Sequence, residues 1–243
     1  MEQNFDNYTE EDLNVWSFLF KRQHENLKDK ASSDYIQALN NMSEVLNMNE
    51  LPDFKKINKW FANKTQWQIE CVPGIIPVDE FFNMLAEKKF PSSTWLRSID
   101  KLDYLEEPDM FHDIFGHIPL LSNPSYSEFM NQFGKIGQRF ISNEEKLLML
   151  QRLYWFTIEF GLIKEQDQNK IYGAGIISSY GESIECIKSK EIEHFEFDMD
   201  RIINTVICIS EMQPYYFIIE NLIQLNKSFD KLILKWEENE MGS

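Results

Sequence analysis

The chain contains 243 residues, of which 43% are hydrophobic, so it is long enough to bury a substantial core. The 40 acidic residues against 24 Lys and Arg give a formal net charge of -16, which disfavours binding to nucleic-acid phosphate or to an anionic membrane surface. We therefore expect a single domain spanning residues 1–243, with a small molecule as its substrate.

The sequence carries no sign of export or membrane insertion. Its first residues lack the basic and then apolar pattern of a signal peptide. The longest apolar run, residues 154–163, is too short to span a bilayer and includes Glu159. The three cysteines, Cys71, Cys186 and Cys208, have no CxxC spacing and predict neither a disulfide framework nor a zinc knuckle. Together these features favour a cytoplasmic protein.

Three helices are predicted in the first quarter of the chain. Residues 9–30 have apolar residues at roughly helical spacing behind Thr9, a good helix cap, and an acidic first turn. Ser32 or Ser33 can cap a second amphipathic helix. Pro52 opens a third, since proline is favoured at the start of a helix. These helices are expected to form an outer layer.

The middle of the chain mixes short strands with helices. Residues 67–72 and 94–98 are predicted as short strands, and residues 78–89 as a helix between them. Residues 125–140 and 144–163 are predicted as helices. The second of these is almost uniformly apolar in its last half, so it should lie in the core.

The last third of the chain is predicted to be mainly helical. Residues 171–179 are glycine-rich and predict a loop or strand before a helix from about Ser179, and His194 falls in a predicted loop. One helix is expected over residues 198–209 and a longer one after Pro214. The whole pattern predicts a mainly α domain with a few short β-strands.

Two of the four histidines, His112 and His117, lie five residues apart in a segment that is otherwise mostly apolar or acidic. On an ideal α-helix, five residues separate two side chains by about 140°. The pair could therefore share a metal only if the helix bends or ends between them, which Gly116 and Pro119 allow. On spacing alone, two histidines bonded to nearby carboxylates is an equally good interpretation.

Glu159 adds a third candidate ligand. It lies in YWFTIEFGLI, with apolar neighbours on every helical face, and a buried carboxylate is costly unless it is paired or coordinates a cation. An ion pair with Arg97 or Arg139, or a neutral carboxylic acid, would also satisfy it. Two histidines and one carboxylate form the facial triad that holds non-haem iron(II). The same ligands would suit zinc-dependent hydrolysis.

Three motifs together resemble one family. Residues 102–121 read LDYLEEPDMFHDIFGHIPLL, residues 154–162 read YWFTIEFGL, and residues 172–182 read YGAGIISSYGE. In this order and spacing they resemble the pterin-dependent aromatic amino acid hydroxylases, most closely the bacterial phenylalanine-hydroxylating branch. The resemblance extends over about residues 9–225. It implies a mostly helical catalytic fold that uses iron(II), a tetrahydropterin such as tetrahydrobiopterin, and O2 as co-substrate.

The resemblance assigns roles around the iron by motif position. The implied iron ligands are His112, His117 and Glu159, and Tyr154 is implied to lie close to the metal. Ser178 matches a serine that hydrogen-bonds a ligand histidine, a contact of the kind that orients an imidazole.

The resemblance also implies a substrate pocket. Arg97 matches the arginine that holds the substrate α-carboxylate, and Asp109 is placed to orient its guanidinium, which suits bidentate carboxylate recognition. Without the family, a surface cation is the better interpretation of Arg97. Pro108 and Trp155 match the ring pocket, although core packing alone would also explain them.

The implied pterin site lies earlier in the chain. Phe81 matches the phenylalanine that stacks on the pterin. Gly74, Ile76 and Asp113 fall where the family contacts the same ring system.

Two positions bear on the choice of substrate. Ile209 aligns with a pocket position that is acidic in tyrosine hydroxylases, and an apolar residue there favours a ring without a hydroxyl group. Trp155 occurs where tryptophan hydroxylases carry a smaller aromatic residue. L-Phenylalanine, converted to L-tyrosine, is therefore the first expectation, with hydroxylation of tyrosine or tryptophan as the alternatives.

The resemblance further implies an isolated catalytic domain. The chain leaves no room for an N-terminal regulatory domain or a C-terminal tetramerisation extension, so a monomer is expected. Two other classes of function stay open: a catalytically silent helical protein with a structural metal, and a metal-dependent hydrolase.

Overall fold

In the computed structural model the described residues are 1–103, 107–209 and 212–241, and these contain ten α-helices and six short β-strands. Tyr104, Leu105 and Glu106, part of the first motif, lie outside the described residues. The mainly α architecture with a few short strands confirms the predicted fold class. Across the same described ranges, no helix is long and apolar enough to cross a membrane.

The first three helices begin where the sequence predicts, because their caps are local. They are α1 (Glu10–Leu27), α2 (Ser33–Asn41) and α3 (Phe54–Phe61). Thr9 and Asp12 form a reciprocal capping box at α1, and the Ser32 hydroxyl accepts a hydrogen bond from the Tyr35 N–H in the first turn of α2. At α3 the cap is Asp53, one residue after the predicted Pro52. At each of these helix starts a side chain thus satisfies one or two of the free N–H groups.

A two-stranded parallel sheet follows. Strand β1 (Gln68–Cys71) confirms the first predicted strand, and helix α4 (Val78–Ala86) separates it from β2 (Lys89–Ser92). The predicted strand at residues 94–98 is wrong. Backbone N–H groups just before and within this segment donate to carboxylates, Ser93 to Asp113 and Arg97 to Asp109, and so are not available to a strand ladder.

The next two helices are α5 (Pro124–Arg139) and α6 (Glu144–Tyr154). Helix α5 lies very close to α4, since a Cβ atom at Gly134 would be 2.3 Å from a backbone nitrogen of α4 and one at Gly137 would be 1.9 Å from the Phe82 ring. Only glycine permits this approach. The contact brings Phe133 to within 5.7 Å of the Tyr154 ring, between the centroids.

A four-stranded sheet occupies the second half of the chain. Its strands are β3 (Leu162–Glu165), β4 (Gln168–Ile171), β5 (Glu193–Glu196) and β6 (Tyr215–Ile219), in the spatial order β4-β3-β6-β5. Three expectations are wrong here. Ile163 belongs to a strand and not to the end of a helix, His194 lies in β5 and not in a loop, and Tyr215–Ile219 is a strand and not the start of the last helix. Short apolar runs such as these are compatible with either helix or strand, and they form strands here because β3 pairs with β6.

Four more helices lie in the last third of the chain. They are α7 (Ala174–Ser178), α8 (Tyr180–Lys188), α9 (Met199–Asn204) and α10 (Leu222–Met241). The predicted loop or strand at residues 171–179 thus ends in the short α7, and the predicted helix over residues 198–209 stops at Asn204. Helix α10 places Phe229 against Phe129 and Phe133 of α5.

The core packs tightly around the first motif. The Phe111 and Phe115 rings stack with centroids 4.8 Å apart, and α1 supplies Trp16 against Phe111 and Phe20 against Phe115. The Tyr35 hydroxyl of α2 donates to the Phe115 carbonyl oxygen at 2.7 Å. Both outer helices therefore fix the segment that carries His112 and His117.

Candidate active site

His112 and His117 share one turn of π-helix, His112–His117. Hydrogen bonds in a π-helix join residues five apart, so such residues lie nearly one above the other. The two Nε2 atoms are accordingly 3.1 Å apart. The two histidines, five residues apart, meet because the turn is widened to a π-helix. The bend or end of the helix that the sequence led us to expect between them is not needed. Gly116 lets the turn approach α7, since a Cβ there would lie 3.0 Å from the Ala174 carbonyl oxygen.

A second π-helical turn, Trp155–Glu159, presents the carboxylate. It is closed by the Phe160 N–H, which donates to the Trp155 carbonyl oxygen at 2.9 Å. Glu159 Oε1 lies 3.1 Å from His117 Nε2, and Glu159 Oε2 lies 3.6 Å from His112 Nε2. Each of the three candidate ligands is thus placed by a π turn, which periodicity arguments based on the α-helix do not foresee.

The arginines that could have neutralised Glu159 are engaged elsewhere. Arg97 pairs with Asp109 at 2.8 Å, and Arg139 pairs with Glu237. The structure therefore gives Glu159 two imidazoles as neighbours in place of an arginine.

The electrostatics of the cluster fit a divalent cation. The three donor atoms all lie within 4.8 Å of one another. Burial lowers the pKa of His112 to about 4, so its imidazole is neutral and can coordinate at neutral pH. Burial opposes ionisation of Glu159, but His117 and His112 outweigh it and lower the pKa of that carboxyl to about 2. A neutral imidazole and an anionic carboxylate that converge at this distance are the donor set of an iron or zinc site.

Ser178 fixes the tautomer of His112. Its hydroxyl donates to the Ala174 carbonyl oxygen at 2.9 Å and lies 2.9 Å from His112 Nδ1. Because the hydroxyl proton is used on Ala174, the imidazole must donate from Nδ1. This leaves a lone pair on His112 Nε2, the atom that faces Glu159.

Arg97 and Asp109 form a buried, bidentate ion pair. Arg97 Nε donates to Asp109 Oδ2 and Arg97 Nη2 to Oδ1, both at 2.8 Å, and Asp109 is 0% exposed. The backbone N–H of His112 also donates to Asp109 Oδ1, at 3.1 Å. One carboxylate thus connects the guanidinium to the start of the turn that carries the histidines.

Two cavities meet at the cluster. The first has a volume of about 420 Å³ and includes Arg97, Ser178 and Gln213, and the second has a volume of about 460 Å³ and includes Phe81 and Asp113. Residues common to both walls are Pro108, His112, Tyr154, Trp155, Glu159 and Ile209. His112 and Glu159 therefore border both cavities.

The predicted residues separate between these cavities. Those expected to contact the pterin, Gly74, Ile76, Phe81 and Asp113, all line the second cavity, whereas Arg97 and Ser178 line the first. The Tyr154 ring stacks on His117 with centroids 6.3 Å apart and meets Phe81 edge-on at 5.3 Å. Burial raises the pKa of Asp113 to about 7.

Ile209 lines both cavities at their shared edge. It is 77% exposed and forms part of the rim of both cavities, not a buried pocket wall. Glu182 and Gln213, which the sequence did not single out as site residues, line the first cavity. Glu182 ends the third motif, a signal that could have drawn attention to it.

In metal-free protein we expect the His112 imidazole to remain neutral from pH 8 to about pH 5, because burial lowers its pKa to about 4. The unfolded chain takes up this proton near its ordinary pKa of about 6.5, so the free energy of unfolding should fall as the pH drops through this window. The NMR signal of the His112 C2 proton, identified by its absence from His112→Gln, should not shift in that range. Titration of this signal near pH 6.5 would contradict the expectation.

Comparison with known proteins adds independent findings. The family model described as biopterin-dependent aromatic amino acid hydroxylase matches residues 4–238. A phenylalanine-4-hydroxylase from Chromobacterium violaceum is 42% identical over 225 residues, which cover 93% of this chain and 75% of that protein. One from Vibrio cholerae is 40% identical over 230 residues, covering 94% of this chain and 78% of that protein.

Solved structures agree with the sequence comparisons. The C. violaceum phenylalanine hydroxylase with bound iron(III) and 7,8-dihydrobiopterin matches with a TM-score of 0.91 at 42% identity, covering 98% of this chain and 86% of that one. The same enzyme with iron and phenylalanine bound matches with a TM-score of 0.87 at 41% identity, covering 93% of this chain and 81% of that one.

Proposed function

The chain belongs to the biopterin-dependent aromatic amino acid hydroxylase family, and from this membership we propose that it hydroxylates L-phenylalanine to L-tyrosine with iron(II), a tetrahydropterin and O2. The observation that carries the proposal is the meeting of two cavities at one His-His-Glu cluster. A monooxygenase of this kind must bring an amino acid and a reducing cofactor to the same metal, and two adjoining cavities provide separate places for them.

His112, His117 and Glu159 are the proposed iron ligands. When bound, iron(II) and the tetrahydropterin supply the reductive activation of O2 that places one oxygen atom on the aromatic ring. The protein contributes the shape and polarity of the site. Ser178 holds His112 with its Nε2 lone pair toward Glu159, and the π turns keep both side chains in place before the metal arrives.

Arg97 is the proposed anchor for the substrate carboxylate. Because Asp109 holds Nε and one hydrogen of Nη2, the outer edge of the guanidinium, Nη1 with the second Nη2 hydrogen, is left for a second planar carboxylate. Arg97 lines the first cavity together with Trp155 and Pro108, so a phenylalanine anchored there can extend its ring toward the cluster. Fixing both ends of the substrate is what places the ring atom to be hydroxylated.

The second cavity is the proposed pterin site. Phe81 offers an aromatic face there, and Phe81 and Tyr154 are in edge-to-face contact at 5.3 Å between centroids, an arrangement that aromatic pairs favour. Gly74, Ile76 and Asp113 complete the proposed contacts with the cofactor.

A product assay tests the function. Purified protein loaded with iron(II) is incubated aerobically with tetrahydrobiopterin and each aromatic amino acid in turn. We expect tyrosine from phenylalanine as the fastest reaction, dependent on pterin and O2. A larger rate with tyrosine or tryptophan would reassign the substrate within the family. Absence of any hydroxylated product at full iron loading would contradict the function, and activity with zinc alone would favour a hydrolase.

Replacing Ser178 by alanine should weaken iron(II) binding about 10- to 100-fold, since hydrogen bonds that orient a ligand histidine are worth this much. The loss should appear in the dissociation constant measured anaerobically, before any catalytic assay. Ser183→Ala is the matched control. Ser183 is also a buried serine that donates to a backbone carbonyl, yet it contacts Asn26 and not the cluster. Equal losses in both variants would show a general effect on stability and would contradict the role of Ser178.

Three broader features are also proposed. The buried apolar residues of the described ranges form one core cluster, which supports a single catalytic domain. The family resemblance supports a monomeric state, and the cysteine spacing, which predicts no disulfide framework, supports a cytoplasmic location. Sedimentation velocity at micromolar concentration tests the first of these, and fractionation of cells that express the protein tests the second.

A further inference from the structure

Gln213 links two parts of the substrate cavity through a single buried side chain. It is 3% exposed, and both ends of its amide are used. Its Oε1 accepts from Trp155 Nε1 at 2.9 Å, and its Nε2 donates to the Cys208 carbonyl oxygen at 2.8 Å. An indole N–H can only donate and a carbonyl oxygen can only accept, so the orientation of the amide is determined.

Glu182 holds the backbone of Gln213. Its Oε1 accepts from the Gln213 N–H at 3.1 Å and also from the Tyr216 hydroxyl. Glu182 lies in α8 and Tyr216 in β6, and Glu182 is only 6% exposed. The backbone of Gln213 is thus held by a carboxylate from a helix, which is itself bonded to a strand. The side chain of Gln213 then accepts the hydrogen bond from Trp155.

Trp155 is the last residue in this series of hydrogen bonds, after Glu182 and Gln213. Its indole lines both cavities and packs on Phe160 with ring centroids 4.7 Å apart. It also begins the π turn that ends at Glu159. A rotation of the indole would therefore change the width of the first cavity beside Glu159, a proposed iron ligand. Cys208, at the other end of the amide, precedes the rim residue Ile209.

We propose that Gln213 is a positioning residue that fixes the plane of the Trp155 indole and ties it to the rim at Cys208, and that this link sets which aromatic ring the substrate cavity accepts. The inference rests on the proposed function, because it concerns the amino acid substrate of the same site. It explains how Ile209, which is exposed, is held at a defined place on the rim. Glu182 acts one step further away, by holding Gln213.

A double-mutant cycle tests the proposal. The first variant is Gln213→Leu, which removes both hydrogen bonds of the Gln213 side chain. The second is Trp155→Phe, which removes the indole N–H, and the third combines the two substitutions. In the wild-type background, Gln213→Leu should raise the KM for phenylalanine about three- to tenfold, the size expected for lost buried hydrogen bonds. It should also reduce the preference for phenylalanine over tryptophan, while iron content stays unchanged. In the Trp155→Phe background the same substitution should change KM less than about twofold.

A conservative variant keeps the test usable if Gln213→Leu fails to fold. Gln213→Glu retains an acceptor for the Trp155 indole but loses the donor to the Cys208 carbonyl oxygen, so it should raise the KM for phenylalanine about two- to threefold, less than the rise expected of Gln213→Leu. A KM and a substrate ratio that do not change in any folded Gln213 variant would overturn the proposal. So would an equal rise of KM in both backgrounds, since Gln213 would then act without Trp155.

A measurement independent of activity completes the design. Trp155 is one of six tryptophans, and its indole N–H signal can be identified as the one missing from Trp155→Phe. In zinc-loaded protein this proton should exchange slowly with solvent in wild type and at least about tenfold faster in Gln213→Leu. Unchanged exchange would overturn the proposed bond. If wild type forms no tyrosine while this exchange result holds, the failure belongs to the proposed function and not to the link between Gln213 and Trp155.

Discussion

Glu159→Gln should abolish tyrosine formation and weaken iron(II) binding by more than about 100-fold. Replacing the partners of metal ligands already costs about 10- to 100-fold, and Glu159 is itself a proposed ligand. Glutamine preserves the size of the side chain but removes the negative charge of the carboxylate, whose oxygens lie 3.1 Å from His117 Nε2 and 3.6 Å from His112 Nε2. The substitution therefore tests the charge of the donor set and leaves its shape nearly unchanged.

Iron content and thermal stability should be measured before activity. We expect Glu159→Gln to fold, because an uncharged amide is less costly to bury than a carboxylate. Glu165→Gln is a suitable control. Glu165 makes its hydrogen bonds to Ser33 at the start of α2 and lines neither of the two cavities at the cluster. Wild-type iron content and tyrosine formation in Glu159→Gln would remove Glu159 from the ligand set.

Local signals in the sequence predicted most helix starts correctly. Thr9 and Ser32 are caps whose hydrogen bonds lie within three residues, so no distant contact is needed to recognise them. The secondary structure was predicted wrongly where contacts between residues distant in sequence determine it. Residues 162–163 and 218–219 are apolar runs compatible with either helix or strand, and they become strands because they pair with each other.

The candidate site was predictable to a different degree for each residue. Burial reasoning alone identified Glu159 as a carboxylate in need of a partner. The histidine spacing stayed ambiguous, because a shared metal requires a π turn that α-helical periodicity does not describe. Gln213 gave no usable signal, since its importance comes from hydrogen bonds to Trp155 and Cys208 that exist only after folding.

Arg97→Lys is the second decisive substitution. We expect kcat/KM for phenylalanine to fall at least about 30-fold, mainly through KM, since disturbing a buried, hydrogen-bonded charge pair costs about 2 kcal/mol or more. Lysine keeps the positive charge but has no planar fork. It can satisfy Asp109, which is 0% exposed, or a substrate carboxylate, but it cannot meet both with the geometry that Arg97 shows.

A substrate without a carboxylate distinguishes two effects of Arg97→Lys: the loss of carboxylate binding and a disturbance of the surrounding structure. Phenethylamine retains the ring and the amine of phenylalanine, so it should already react poorly with wild type and should lose less than about threefold more in Arg97→Lys. Arg152→Lys is the matched control, because Arg152 is a partly buried arginine that donates to the Ile203 carbonyl oxygen at 2.8 Å and lines neither cavity. An equal loss with both substrates would mean that Arg97 acts by supporting Asp109 and the turn that begins at His112. A loss confined to phenylalanine would assign the guanidinium to the carboxylate, and with it the direction in which the ring enters the cavity.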